Sequence, residues 1–154
     1  MVHYRHFTSL AAVGLVAVLA APAARASDVT YFGRWTVSDE KPDYSTKGLL
    51  YKTIDIAPCG NDFCGVSVDD KNGCGPTLFR FFTAHAKDDE LIGHGKWGSL
   101  KKKVQINYAT PTGEKPYFSL GLGDDNMDVT GREGSIPTFE ANYAYVGPTQ
   151  CSAK

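Results

Sequence analysis

Apolar and polar residues alternate in short runs along most of this chain, and turn residues separate the runs. Period two puts every second side chain on one face of an extended strand. Tyr31–Val37 is the first run, and in Leu50–Ile56 the residues Leu50, Ile54 and Ile56 share a face that Lys52 interrupts. The pattern then assigns Val66 and Val68, Phe79 and Phe81, Val104 and Ile106, and Phe118 and Leu120 to inward faces. Met127 and Val129, then Phe139 and Tyr143, complete that inward set. Thr77–Thr83, "TLFRFFT", is apolar on both parities, as in a strand that is covered on both sides or that bends. Asp70-Lys-Asn-Gly, Thr110-Pro-Thr-Gly-Glu and Gly123-Asp-Asp-Asn supply turn chemistry between runs. Ala84–Leu91 is the best helical stretch and is long enough for a turn or two. Many short strands at hairpin spacing predict an all-β antiparallel barrel or sandwich with little helix.

The N-terminus reads as an export leader. Arg5 precedes the apolar stretch Leu10–Ala21, and Ala24-Arg25-Ala26 has small residues at the positions a signal peptidase reads. Cleavage is expected after Ala26. Residues 1–26 are then the signal peptide and 27–154 a single domain, periplasmic or secreted, with no stable membrane insertion. The whole chain carries a net charge of −1, and the leader takes away Arg5 and Arg25 but no acid. That balance argues against nucleic acid as a partner. Lys101-Lys102-Lys103 is the one basic run, and it reads as a solvated strand entry.

The stretch Ile54–Val68, "IDIAPCGNDFCGVSV", sets two cysteines between two alternating runs. An even count of four cysteines in an exported chain argues for disulfides. Strands flanking Cys59 and Cys64 bring these two residues to opposite sides of a hairpin, within bridging distance. Gly60 and Gly65, with Asn61-Asp62, give the permissive backbone for the turn. The favoured pairing is therefore Cys59–Cys64, which leaves Cys74–Cys151. Zinc ligation wants tighter pairs and histidines at matching spacing, and a redox dithiol wants Cys-x-x-Cys at a helix start. Neither pattern is present, so no metal and no cofactor is expected.

These residues also carry a resemblance. Gly33-Arg34-Trp35, Cys59-Gly60 with Phe63-Cys64-Gly65, Cys74-Gly75, Lys96-Trp97-Gly98 and Tyr143–Val146 follow the order of motifs in the domain of unknown function 2147 family. That family comprises small exported bacterial proteins. The chain resembles a divergent member: Thr110–Tyr117 replaces the family's usual Asp-Pro…Gly-Lys-x-Tyr hairpin, and the last strand lacks its Trp. The resemblance implies an up-and-down lipocalin-like barrel of about eight strands in the periplasm, with no activity to carry over. Gly33-x-Trp35 also resembles the lipocalin entry motif, which implies a structural role for Gly33 and Trp35 at the barrel base. An ordinary core Trp is the other reading of the same residues.

Chemistry is sparse. Ser99, Ser119 and Ser135 lack a nucleophile-elbow context. His85 and His94 lie near Asp88, Asp89 and Glu90 and read as a surface loop. Asp124, Asp125 and Asp128 lack the Gly and Glu of a calcium loop. No enzyme is expected. The first functional expectation is a barrel binding a small apolar or amphipathic molecule inside, with Lys52, Arg80, Tyr108, Tyr143 and Tyr145 as polar groups at its mouth. The alternative is an interaction module or inhibitor that meets an envelope or secreted protein through rigid hairpin tips at Asn61–Phe63 and Thr110–Pro116. Phe63 would be its aromatic anchor.

Overall fold

The computed structural model describes residues 31–39, 47–125 and 138–153. The leader, Asp128, and the pair Met127 and Val129 lie outside the described residues. Eight strands follow one another: β1 Gly33–Val37, β2 Thr53–Cys59, β3 Asp62–Val68, β4 Cys74–Phe82, β5 Glu90–Trp97, β6 Leu100–Ala109, β7 Tyr117–Gly123 and β8 Phe139–Gly147. Each pairs antiparallel with the next, and β8 pairs with β1, so the sheet closes into an up-and-down barrel. Closure removes the exposed edges that a flat sheet of these strands would carry.

The inward face starts at Trp35, which opposes Ile54 on β2 and Tyr145 on β8. Ile54 and Ile56 point inward, and their partners Ser67 and Gly65 set the parity of β3. That parity corrects the assignment of Val66 and Val68. Both face outward, with Cys64, while Phe63 is wholly buried within the core. Val66 and Val68 stay dry because the C-terminal segment crosses them, making a second apolar cluster with Cys151 and Ala153.

Two further elements differ from the alternation. The run from Leu50 is not continuous: Gly48–Tyr51 is a 3-10 turn, Lys52 ends it, and β2 begins only at Thr53. The region of His85 and His94 is not one loop. A 3-10 turn covers Thr83–His85, and β5 then runs from Glu90 to Trp97. Thr77–Thr83 bends as one of its two readings required. The register shifts between Phe79, opposite Gly65, and Thr77, opposite Val66, and both Leu78 and Phe79 are buried.

Both disulfides form, Cys59–Cys64 with Cα atoms 5.8 Å apart and Cys74–Cys151 at 5.5 Å. The first is diagonal rather than directly cross-strand: Cys59 opposes Asp62, and Cys64 opposes Ala57. Gly60 takes the positive φ, 73°, that this two-residue hairpin turn needs. Gly65 serves a different end from the one its sequence context suggested. A Cβ there would overlap the Phe79 ring, which lies across it inside the barrel. Two disulfides favour an oxidising, extracytoplasmic environment.

Candidate functional site: the seam between β4 and β5

Aromatic rings occupy the barrel axis. Tyr31 stacks on Phe63 at 5.8 Å and meets Tyr108 edge-on at 5.3 Å. Its hydroxyl donates to the Asp88 carbonyl at 2.6 Å, tying the β4–β5 connection over that end. Burial, then the nearby Asp89 and Asp88, push the Tyr31 phenol well above its ordinary range. Trp35 sits deeper, 4.8 Å from Phe118, and its indole N–H donates to the Tyr31 carbonyl at 2.8 Å. At the other end the Gly48–Tyr51 turn inserts Tyr51, which stacks on Trp97 and packs against Phe139, each at 5.4 Å. Tyr143 hydrogen-bonds through its hydroxyl to the Tyr51 carbonyl. Small barrels either fill with side chains or hold a ligand. Here Trp35, Tyr31, Tyr51, Tyr143, Phe63 and Phe118 are all fully buried and pack along the axis.

The five residues expected at a mouth do not converge. Tyr143 is buried in the core. Tyr108 and Tyr145 are half-buried against Trp35. Lys52 is exposed and pairs with Asp70 at 3.3 Å. Arg80 alone lines a cleft, on the outer face. Gly33 takes a φ of 146°, and a Cβ there would overlap Tyr145, so the glycine admits the ring that packs on Trp35. The hairpin tip loses Phe63, which is inside. Asn61 remains exposed there.

The sheet is least continuous between β4 and β5. Seven or eight register pairs join β2 to β3, β5 to β6 and β6 to β7. A single pair, Phe79 with Gly95, joins β4 to β5. Gly95 permits this contact, since a Cβ there would strike the Leu78 carbonyl and Val104. Phe81 lies over Gly93 in the same way. Beside that contact a cleft of about 410 Å³ opens on the outer face, based on Leu78 and Phe79 and walled by Arg80, His94, Lys96 and Lys101. A second cleft of about 350 Å³ follows along the same seam. It holds Phe82 and Ile92, which are 69 and 50 % exposed.

The charges around the seam are arranged unevenly. Arg80 reaches Asp62 at 3.6 Å, and His94 Nε2 lies 3.1 Å from Asp125. His85 pairs with Asp88 at 2.7 Å, in solvent. Lys102 pairs with Asp124. Lys96 and Lys101 oppose each other directly across β5 and β6, both exposed, and among the described residues neither meets a carboxylate. Among the described residues no three His, Cys, Asp or Glu side chains converge as a metal ion would need.

A buried ion pair lies on the opposite outer face, which the sequence reading did not single out. Asp55 accepts from Arg34 Nε at 2.7 Å and Nη2 at 2.9 Å, and from the Gln150 and Cys151 backbone N–H groups at 2.8 and 2.7 Å. Burial pushes the Asp55 carboxyl up, but the Arg34 and backbone hydrogen bonds together outweigh it and hold the group below its ordinary value. The signal available was an acid in the middle of an apolar strand, Ile54-Asp55-Ile56, opposite an arginine beside Trp35. The pair anchors the C-terminal strap; it is not a reactive centre.

Compared with known proteins, the chain matches no protein-family model, no curated protein and no solved structure.

Proposed function

We propose that the protein is an exported, periplasmic binding barrel for a small apolar or amphipathic molecule, held at the β4–β5 seam. The leader-like Arg5, Leu10–Ala21 and Ala24-Arg25-Ala26 support export. The order of Gly33-x-Trp35 and the Cys-Gly steps supports kinship with the domain of unknown function 2147 barrels. One observation carries the location. The strands are joined by a single pair, Phe79 with Gly95, beside a cleft based on Leu78 and Phe79. Ligand sites are concave and mainly apolar, with a few polar groups that fix orientation. The seam supplies that combination, whereas the described axis is packed with rings. Holding a ligand there requires no catalytic step.

The test uses N-phenyl-1-naphthylamine, a neutral apolar fluorophore. Saturable enhancement at one site per chain is expected. Ser99→Trp, at an exposed position lining the cleft, should abolish it without loss of the far-ultraviolet β signal. Thr77→Trp should do the same from the facing strand. No saturable enhancement, or binding that survives both folded variants, would overturn the reading.

A further inference from the structure

The β4–β5 seam also carries information on what the ligand's head must be. Four basic side chains, Arg80, His94, Lys96 and Lys101, line the larger cleft, and among the described residues no carboxylate does. The mature chain is acidic on balance, so this is a local concentration of charge against the overall sign. Its placement on the strands is unfavourable in isolation. Lys96 and Lys101 occupy one register pair on the outer face. Like charges directly opposed across antiparallel strands destabilise the pair, and facing residues of opposite charge would have been the stabilising choice. Among the described residues Asp62 and Asp125 reach the region, and they pair with Arg80 and His94. Among the described residues Lys96 and Lys101 meet no carboxylate; they stand at the lip of the cleft, above its base of Leu78 and Phe79.

We infer that the molecule bound at the seam is an amphipathic anion, with one apolar chain along Leu78 and Phe79 and one anionic head between Lys96 and Lys101. This inference rests on the reading of the seam as the binding site. The head relieves the repulsion between the two lysines, whose ammonium groups donate to a carboxylate or phosphate. The chain packs over Thr77 and the aliphatic stem of Arg80, because Leu78 and Phe79 at the base are already buried and offer little further area, and this burial supplies part of the binding. A free anion lacks that part and binds weakly. A neutral chain of the same length keeps it but gains nothing from the lysines.

Decanoate, decanol and acetate serve as probes, each displacing bound N-phenyl-1-naphthylamine from the full exported protein. Decanoate should displace it at a concentration about fivefold or more below that of decanol, and acetate should not displace it. The Lys96→Gln, Lys101→Gln double variant should lose the preference, its decanoate affinity falling about fivefold relative to its decanol affinity. Both lysines are exposed, so the variant retains its fold. Rising salt should weaken decanoate and leave decanol unchanged, a measurement that needs no variant. Equal displacement by decanoate and decanol, or a decanoate affinity indifferent to both lysines and salt, would overturn the anionic head while leaving the seam as the site. Failure of the fluorophore itself to bind would instead overturn the seam.

Discussion

The Asp55 carboxylate accepts the backbone N–H of Cys151 at 2.7 Å, across 96 positions of sequence. Asp55 and Cys151 are both buried, and the same carboxylate takes both arms of Arg34. The C-terminal strap is thus fixed twice, by this acid on β2 and by the disulfide from Cys151 to Cys74 on β4. Beneath it lie Val66 and Val68, the outward valines that would otherwise be wet.

Replacing Asp55 by Asn leaves the Arg34 guanidinium buried without its counter-charge. Breaking a buried pair in this way costs about 3–5 kcal/mol, and urea unfolding should show a loss of that size. The acid dependence has a definite sign. The folded carboxyl titrates below the unfolded value of about 3.9, so its contribution is complete above that pH and disappears as pH falls through the folded value. The wild type should therefore lose stability below about pH 4 more steeply than Asp55→Asn.

The two disulfides should differ in their contributions. Cys74–Cys151 closes 77 positions and Cys59–Cys64 closes five. Loop-closure entropy then gives about 4–5 kcal/mol for the first and about 2 kcal/mol for the second. Thermal unfolding of Cys74→Ser with Cys151→Ser, against Cys59→Ser with Cys64→Ser, measures the gap. Equal losses would mean that the strap is held mainly by Asp55.

Gly65→Ala forces a methyl group into the Phe79 ring, which has no free space in the core. Overpacking of this kind costs about 1–3 kcal/mol. The smaller side chain of Phe79→Leu should relieve part of the strain. The double variant should therefore be more stable than the sum of the two single losses predicts, a coupling that a double-mutant cycle reads directly.

How far the sequence disclosed this fold depends on which side chains mark each face. Strands marked inside by large residues, such as Ile54 with Ile56 and Phe118 with Leu120, were legible by period two. β5 was not, because its inward positions read Leu91, Gly93, Gly95, Trp97. Phe81 fills the space over Gly93, and Val104 and the β4 backbone crowd Gly95. The volume that identifies the strand comes from its neighbours. β3 was misread for the complementary reason. Gly65 and Ser67 face inward, while Val66 and Val68 face a strap more than eighty residues away in sequence. Arg80, His94 and Lys101 were named singly from the sequence, but the cleft they share was not. It arises where two strands share a single register pair, and no single run of residues records that.

Tyr51→Phe is expected to stabilise the barrel. The Tyr51 hydroxyl is buried and, among the described residues, has no hydrogen-bond partner. Its burial also pushes the phenol far above the ordinary range. An unsatisfied buried polar group costs about 1–3 kcal/mol, and the ring stacking on Trp97 needs no hydroxyl. Chemical denaturation should place the variant about 1 kcal/mol or more above the wild type.

The central claim is that a ligand is held at the β4–β5 seam and not along the barrel axis. Titration of isotope-labelled protein with decanoate, followed by amide chemical shifts, tests it most directly. Saturable shifts are expected at Leu78–Arg80 and His94–Lys96, with Ile54, Ile106 and Leu120 unmoved. Shifts centred on those three axial residues, or none at all at saturating decanoate, would contradict it.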